Sequence, residues 1–418
     1  MRIQTASLSI SLAALLVGAA CDTVPEDALE RCDSSQVMAG RVKTDILFVI
    51  DDSGSMSEEQ ALVRAGLANF IATLVSSPVA NDFRVGVTNT SVEDFLLADG
   101  SQPAYFNHYD AGPSAGVPYP AGALVAVDPS NITTPGSYGD YYYDPVHPST
   151  VGFYGPQVLD WDSANLTTAF KNNVLVGIHG AGREQPFRAA QLALSSQLAS
   201  GGENVGFLRP GARLAIIFIT DEDDCSGPAN TSITDDGKCR AARSDPGSSL
   251  LPVAEFASFL QGPLGGETRD VVLAAIAGVT CNGGVCTNGP QPCGTAFATP
   301  DRVVSLLSYF SPARTRLASI CDPSFDAALD QFADAILSQT VPLDGAVSDY
   351  RMLVAAVTRA GATFGCTIQP ADAPAGVRDA ADAVYEAPQA GRPASLTFQN
   401  ACALQQGDTV SVKVVCAR

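Results

Sequence analysis

Three side chains with oxygen atoms alternate along one short polar stretch, Asp51, Ser53 and Ser55. They follow an apolar run at residues 46–50, whose β-branched and aromatic residues are typical of a strand buried on both faces. A tight loop at the end of such a strand can bring the three oxygens towards one point. Because carboxylates and hydroxyls are hard ligands, this stretch predicts a binding site for a divalent cation.

Another carboxylate follows a second apolar strand. Residues 213–220 have the sequence Arg-Leu-Ala-Ile-Ile-Phe-Ile-Thr, and Asp221 comes next. Open α/β sheets bind their ligands at the carboxyl ends of parallel strands. Asp51 and Asp221 are therefore expected at the same edge of one sheet.

The elements that must position these side chains alternate between strand and helix. Ser57 and Gln60 have the spacing of a helix-capping pair, which predicts a helix directly after the polar loop. The predicted strands are residues 44–51, 83–88, 213–220, 270–279 and 316–320, and the predicted helices are residues 57–75, 166–176, 183–198, 253–261 and 322–338. This alternation predicts an α/β fold with a doubly wound, mainly parallel, Rossmann-like sheet and helices on both faces.

The Asp-x-Ser-x-Ser pattern at residues 51–55, with its strand and helix, resembles the metal-ion-dependent adhesion site of von Willebrand factor type A (VWA) domains. The resemblance covers about residues 41–340 and implies two further ligands, a Thr from a second loop and an Asp at a later strand end. Thr220-Asp221 matches that strand end, with Glu222 where the family has Gly. In the second loop, Glu184 stands where the family has Thr.

The substitution at Glu184 leaves two interpretations open. In the family, an acidic side chain of the partner completes the metal shell, so Glu184 could supply a carboxylate from within the chain and weaken that recruitment. Alternatively, Glu184 is a surface residue beside an ordinary site. The resemblance thus implies a metal set of Asp51, Ser53, Ser55, Glu184 and Asp221.

The donor types favour Mg²⁺, with Mn²⁺ or Ca²⁺ as alternatives, because zinc prefers His and Cys ligands. The neighbouring acidic run Glu222-Asp223-Asp224 could form a calcium site with Asp235 or Asp236. A solvated acidic rim is the favoured interpretation of that run.

The histidines argue against a hydrolase. A serine nucleophile needs a His base, but His108, His147 and His179 all follow Ser53 and precede Asp221. This order matches neither the chymotrypsin-like, the subtilisin-like nor the α/β-hydrolase arrangement. The chain also has no zinc-protease or phosphate-loop motif. We therefore expect no enzymatic activity.

The first residues indicate export. Residues 1–20 have the pattern of a signal peptide, and residues 17–21, Val-Gly-Ala-Ala-Cys, resemble a bacterial lipobox apart from Gly18. Cys21 is thus the expected lipidation site and residues 21–40 the tether. The alternative is ordinary signal cleavage near Ala19 or Ala20. The expected location is the bacterial cell envelope, as a lipid-anchored protein of the outer membrane or cell surface, or otherwise the periplasm or exterior.

The other ten cysteines are an even number, as expected for disulfides in an exported chain. Cys225 and Cys239 form a plausible local pair, and zinc binding by Cys281, Cys286 and Cys293 is a less favoured alternative because their spacing is irregular. The full set of disulfide candidates is Cys32, Cys225, Cys239, Cys281, Cys286, Cys293, Cys321, Cys366, Cys402 and Cys416.

Composition and charge exclude one class of partner and indicate two further regions of the chain. The formal net charge of −20 argues against a nucleic-acid partner, since phosphates would be repelled. Residues 91–162 are rich in Tyr, Pro and Gly and are predicted to be an insertion, whose aromatic side chains either pack onto the domain or form a recognition surface. Residues 341–418 are predicted to form a small, disulfide-stapled, β-rich C-terminal region.

These features predict a metal-dependent adhesion or protein-binding module. Its partner would be a protein or another envelope or extracellular macromolecule, and no small-molecule cofactor is expected. Two alternatives are a structural envelope lipoprotein whose metal only stabilises the fold, and a metal-assisted hydrolase.

Overall fold

A computed structural model describes most of the chain from residue 30 onwards. The described residues are 30–38, 42–77, 81–95, 104–108, 118–127, 156–178, 180, 183–227, 239, 242, 249–282, 285–289, 293–343, 347, 349–388, 394–405 and 407–416. The predicted signal peptide and lipidation site at Cys21 lie outside them, as do His147, His179, Asp235 and Asp236. None of the helices in the described ranges has the length and hydropathy needed to cross a membrane.

The described chain contains α-helices, short 3₁₀ turns and many strands. The strands are β1 (Glu30–Met38), β2 (Val42–Ile50), β3 (Asn81–Asn89), β4 (Glu93–Phe95), β5 (Ala104–His108), β6 (Pro118–Pro120), β7 (Leu159–Asp160), β8 (Arg213–Ile219), β9 (Pro263–Leu264), β10 (Glu267–Thr268), β11 (Val271–Ala277), β12 (Thr280–Asn282), β13 (Val285–Thr287), β14 (Thr315–Ser319), β15 (Gln339–Pro342), β16 (Leu353–Arg359), β17 (Ala362–Cys366), β18 (Ile368–Pro370), β19 (Ala383–Glu386), β20 (Ser395–Phe398) and β21 (Thr409–Cys416). The helices are α1 (Ser57–Ser76), α2 (Leu166–Asn173), α3 (Pro186–Ala193), α4 (Val253–Gln261), α5 (Asp301–Leu307), α6 (Asp326–Leu337) and α7 (Ala375–Asp379).

The central sheet has the strand order β14-β11-β8-β2-β3-β7. All its neighbouring pairs are parallel except β3 with the short edge strand β7. Because β2 lies in the middle, the chain builds the sheet outwards in both directions, as in doubly wound folds. The mainly parallel α/β architecture predicted from the sequence is therefore confirmed.

The apolar run of β2 supplies a core on each face of this sheet. Ile46, Phe48 and Ile50 pack into one cluster, with helices α1, α2 and α6. Leu47 and Val49 face the other cluster, with α3, α4 and α5. Burial on both faces explains why the run is continuously apolar instead of alternating.

The C-terminal region forms two four-stranded sheets, β1-β21-β16-β17 and β15-β20-β19-β18, around a third core cluster. Strand β1 comes from the predicted tether, so residues 30–38 are part of this β-rich region and not a linker. Its sequence is polar because it is an edge strand, held by antiparallel backbone pairing with β21. The α/β domain is thus inserted between the first and second strands of the β-rich region, β1 and β15.

The predicted insertion also differs from expectation. Residues 121–127 are fully buried, and the backbone N–H of Val125 donates to the carbonyl of Val87 in β3 at 2.8 Å. Leu159, in β7, extends the central sheet and is buried. These parts of residues 91–162 belong to the domain core, because they cover the edge of β3. The aromatic surface predicted for the segment rests on side chains outside the described set.

Candidate metal centre

The parallel strands β2, β3 and β8 end at the same level. Ile50 pairs with Asn89 on one side and with Ile219 on the other. The residues that follow, Asp51 after β2, Thr90 after β3 and Asp221 two residues after β8, therefore meet at one edge of the sheet. The predicted convergence of Asp51 and Asp221 follows from this register.

The loop after β2 folds back on its own carboxylate. Asp51 accepts a hydrogen bond from the backbone N–H of Ser53 at 2.8 Å and from the hydroxyl of Thr220 at 2.7 Å. The hydroxyls of Ser53 and Ser55 lie 3.0 Å apart. The alternating Asp, Ser and Ser thus place their oxygens together, as the spacing predicts.

Gln60 forms hydrogen bonds to the backbone of this loop and does not cap the helix. Helix α1 begins at Ser57 with Met56 in the cap position, and no side chain caps it. The Gln60 amide instead donates to the backbone carbonyls of Asp51 at 2.9 Å and Gly177 at 2.6 Å. The predicted capping pair was wrong, because this buried side chain ties the Asp51 loop to the loop that leads to Glu184.

Glu184 lies inside the site and is 0% exposed, so its interpretation as a surface residue was wrong. The hydroxyl of Thr90 donates a short hydrogen bond to Glu184 Oε2, while Oε1 has no hydrogen-bond partner. The backbone on both sides is anchored, since Gln185 N–H donates to the carbonyl of Thr90 at 3.0 Å and Cys225 N–H donates to that of Glu184 at 2.7 Å.

Asp52 joins the site although the sequence did not identify it. One carboxylate oxygen of each of Asp51, Asp52 and Glu184 lies within 4.8 Å of the others, a grouping that could hold a metal ion. Asp52 accepts hydrogen bonds from the side chains of Asn89 at 2.7 Å and Ser91 at 2.9 Å. The available signal was the polar triplet Asn-Thr-Ser at 89–91, which follows a predicted strand at the same sheet edge.

Gly180 lies against Asp52 so closely that no larger residue fits. Its N–H donates to the carbonyl of Asp52 at 2.8 Å, and a Cβ at this position would come within 2.4 Å of Asp52 Cγ. We expect Gly180→Ala to displace the carboxylate, to destabilise the fold by about 1–3 kcal/mol and to weaken cation binding. Chemical denaturation and Mn²⁺ titration would measure the two effects.

Gly54 provides the matched control for this substitution. It lies in the same site, but a Cβ there would have its nearest neighbour at 3.9 Å, an ordinary contact. Gly54→Ala should therefore leave both stability and cation binding near their native values. Equal effects of the two substitutions would contradict the importance of the close approach at Gly180.

Asp221 is buried beside the loop, but it is outside the close group of three carboxylates. Neither of its carboxylate oxygens has a hydrogen-bond partner. Its backbone carbonyl accepts from the N–H groups of Phe297 at 2.8 Å and Ala298 at 3.0 Å. The side chain is therefore fixed at the strand end, where the Ser55 side chain is close enough to lower its pKa.

The electrostatics of the site favour protonation or a bound cation. Burial, reinforced by the charge of Asp51, raises the pKa of Asp52 to about 7 and that of Asp221 to about 8. Burial and the charges of Asp51 and Asp52 raise the pKa of Glu184 well above its ordinary value. Within the described residues, no lysine or arginine pairs with these carboxylates. The described part of the site thus concentrates negative charge, and no ion pair among the described residues compensates it.

The acidic run after Asp221 is not a solvated rim, because two of its carboxylates are buried and bonded to Arg302. Asp223 and Asp224 are buried. Asp223 accepts from the backbone N–H of Arg302 at 2.9 Å, at the start of helix α5, and Asp224 forms an ion pair with the Arg302 guanidinium at 2.9 Å. These carboxylates are used structurally, because they anchor α5 to the end of β8.

Disulfides reinforce the loops at this edge. The predicted pair Cys225–Cys239 is present, and it closes the segment that follows the acidic run. Three further bridges join Cys281 to Cys286, Cys293 to Cys321 and Cys366 to Cys402. The zinc alternative for Cys281, Cys286 and Cys293 was therefore wrong. The strands that carry Cys32 and Cys416 pair through their backbones.

The protein is thus a mixed α/β chain with a largely parallel central sheet and an acidic group that could hold a metal ion at its carboxyl edge. No family model and no curated protein matches the chain.

Similar solved structures include the pilus adhesin SpaC from Lactobacillus rhamnosus GG in its open conformation, with 14% identity, a TM-score of 0.37, and coverage of 91% of this chain and 40% of that one. Proximal thread matrix protein 1 from the mussel byssus has 12% identity, a TM-score of 0.34, and coverage of 73% and 51%. The human COPII-coat protein Sec24c has 10% identity, a TM-score of 0.32, and coverage of 92% and 42%. The chain therefore spans about half the length, or less, of these proteins.

Proposed function

We propose that this protein is a metal-dependent protein-binding module, of the VWA type, displayed on the bacterial cell envelope. The observation that carries the proposal is the set of buried, unpartnered carboxylate oxygens on Glu184 and Asp221 beside the Asp51 loop. Buried charge without a partner is costly, and a divalent cation is the counter-charge that hard oxygen donors suit best.

The donor set favours Mg²⁺. The candidate donors are the carboxylates of Asp51, Glu184 and Asp221 and the hydroxyls of Ser53 and Ser55. Magnesium is held by few carboxylates and keeps several waters, which leaves a position for an acidic group of a partner. Mn²⁺ and Ca²⁺ have similar ligand preferences.

The strand order and the position of the loop support the VWA proposal. The Asp-x-Ser-x-Ser loop follows the middle strand β2, and Asp221 follows the adjacent strand β8. The two positions flank the edge at which doubly wound sheets bind ligands. The role proposed here is binding and not catalysis.

Export and anchoring complete the proposal. The disulfides are compatible with an extracellular or periplasmic environment. Lipidation at Cys21 would hold the protein at the membrane, and the partner would be a protein or another macromolecule of the envelope or exterior.

The test is capture of a partner from envelope extracts with Mg²⁺ and with a chelator. The same samples are followed by thermal melting. A binding function predicts capture in Mg²⁺ that the chelator abolishes while the protein remains folded. Capture that is equal with and without chelator would contradict the proposal.

A structural metal is the second candidate, because the close group of carboxylates is nearly inaccessible. Asp51, Asp52 and Glu184 are 0%, 3% and 0% exposed. A purely structural ion would raise the melting temperature without any metal-dependent capture. Comparison of the two readouts separates the candidates.

Phe297 offers a contact for a partner next to the cation. It is 52% exposed, and its N–H bonds to the carbonyl of Asp221, so the ring is held at the metal edge. Exposed aromatic side chains are frequent anchors of binding energy, and we expect Phe297→Ala to weaken partner binding about tenfold with unchanged cation affinity.

Val285 is the control for Phe297. It is 54% exposed and lies in the β12–β13 hairpin, which packs against β14 at the far edge of the sheet. Val285→Ala should leave partner binding unchanged. Binding measurements on both variants would reject the Phe297 contact if neither, or both equally, lost affinity.

A further inference from the structure

The buried carboxylates at the metal edge form two sets and not one. The inner set is Asp51, Asp52 and Glu184, each with one oxygen within 4.8 Å of the others. It lies behind the loop, where Asn89 and Ser91 hold Asp52 and Thr90 holds Glu184. Glu184 Oε1 is buried without a hydrogen bond, and the Glu184 carboxylate lies close enough to that of Asp51 to lower the Asp51 pKa, so this oxygen is available to a cation at the centre of the set.

The outer set is Ser53, Ser55 and Asp221. Ser53 and Ser55 have their hydroxyls 3.0 Å apart, and the Ser55 side chain is close enough to the Asp221 carboxylate to lower its pKa. Gly54 and Ser55 are exposed, which gives solvent a route to these oxygens. Asp221 does not belong to the close inner group.

One Mg²⁺ ion cannot bind all four buried carboxylates directly. Its ligand oxygens lie about 2.0–2.1 Å from the ion, so oxygens on one Mg²⁺ lie within about 4.2 Å of each other. Asp221 does not belong to the group in which oxygens of Asp51, Asp52 and Glu184 all lie within 4.8 Å of one another. When Asp51, Asp52, Glu184 and Asp221 are all ionised, one divalent ion balances two of their four negative charges, whereas two ions balance all four.

We infer that this edge binds two divalent cations: an inner one held by Asp52 and Glu184, and an outer one held by Ser53, Ser55 and Asp221, with Asp51 between them. This inference rests on the proposed function and divides its donor set: the outer cation takes the role in partner binding, and Glu184 belongs to the inner cation instead. The inner cation is new and needs no partner, since it is enclosed by the chain. It stabilises the fold by neutralising the inner carboxylates, while the outer cation remains open to water and to an acidic ligand.

The test counts Mn²⁺ ions and measures their access to water. Equilibrium dialysis with metal analysis should give two Mn²⁺ per native chain. Glu184→Gln and Asp221→Asn, both close in shape to the native residues, should each retain one. The ion that remains in Asp221→Asn should enhance water proton relaxation little because it is enclosed, and the ion that remains in Glu184→Gln should enhance it strongly.

Each outcome has one meaning. A single Mn²⁺ that both substitutions abolish would overturn the two-cation inference and leave the proposed function standing. No bound Mn²⁺ in the native chain at millimolar concentration would overturn both. If either variant fails to fold, as judged by metal-free melting, Asp52→Asn replaces it for the inner ion and Ser55→Ala for the outer one, with the same expected counts.

Discussion

Asp51→Ala is expected to lower Mn²⁺ affinity, and with it metal-dependent partner capture, by about 100-fold or more. Loss of residues that only orient metal ligands commonly costs 10–100-fold, and Asp51 is expected to contact the cation as well as orient the loop. Its carboxylate accepts from Ser53 N–H and from the Thr220 hydroxyl, so the substitution also releases the serine loop from the end of β8. Mn²⁺ titration and capture in Mg²⁺ measure the effect.

The melting temperature distinguishes a lost site from a lost fold. In the metal-free protein, Asp51→Ala removes two hydrogen bonds but also a buried carboxylate whose pKa burial raises, and these effects oppose each other. The metal-free melting temperature should therefore change little. Asp372→Ala, at an exposed carboxylate in the C-terminal region, is the control and should retain native binding. Native Mn²⁺ affinity in Asp51→Ala would contradict the site.

The parts of the fold that were predictable are those where local pattern and burial agree. Strand β2 is apolar at every position from 46 to 50 because both faces are covered, and the strand, loop and helix around Asp51 follow from that pattern. Helix α4 has the predicted bounds of residues 253–261. In such segments the sequence within one element contains the information that positions it.

The missed elements depend on distant parts of the chain. Strand β1 is polar and exists through backbone pairing with β21, at the other end of the sequence. Helix α5 begins where Asp223, far away in sequence, accepts the N–H groups of Arg302 and Val303. No local pattern near residues 30–38 or 301–307 contains these partners.

In the candidate site, too, some residues could be identified from local sequence and others depend on distant parts of the chain. Asp51, Ser53 and Ser55 could be identified from their spacing, and Asp221 from the end of a second strand. Glu184 was identified through the family resemblance alone. Asp52 and Thr90 were missed because their importance depends on the side-by-side ends of β2 and β3, which place the Thr90 hydroxyl between Asp52 and Glu184.

The stability of the metal-free protein should fall as the pH rises, whereas the stabilisation by added metal should grow. The ordinary Asp pKa of 3.8 applies to the unfolded chain, and in the metal-free folded chain the pKa is about 7 for Asp52 and about 8 for Asp221. Folded-state pKa values above the unfolded ones mean that the folded chain holds these protons more tightly. Their contribution to stability is fully present below pH 3.8 and is lost as the pH rises through about 7 and 8.

A divalent cation replaces those protons, so its affinity should rise with pH over the same window. Affinity should change about tenfold per pH unit for each proton released. We expect the metal-free melting temperature to fall between pH 5.5 and 8.5, and saturating Mg²⁺ to raise it far more at pH 8.5 than at pH 5.5, because ligand stabilisation grows with affinity. Differential scanning calorimetry at the two pH values, with Mg²⁺ and with chelator, measures the melting temperature under all four conditions.

Asp221→Asn lacks the group with the pKa of about 8, so the fall in metal-free melting temperature between pH 7 and 8.5 should be smaller in this variant. A Mg²⁺-induced rise that is the same at both pH values would show that the cation does not displace protons from these buried carboxylates.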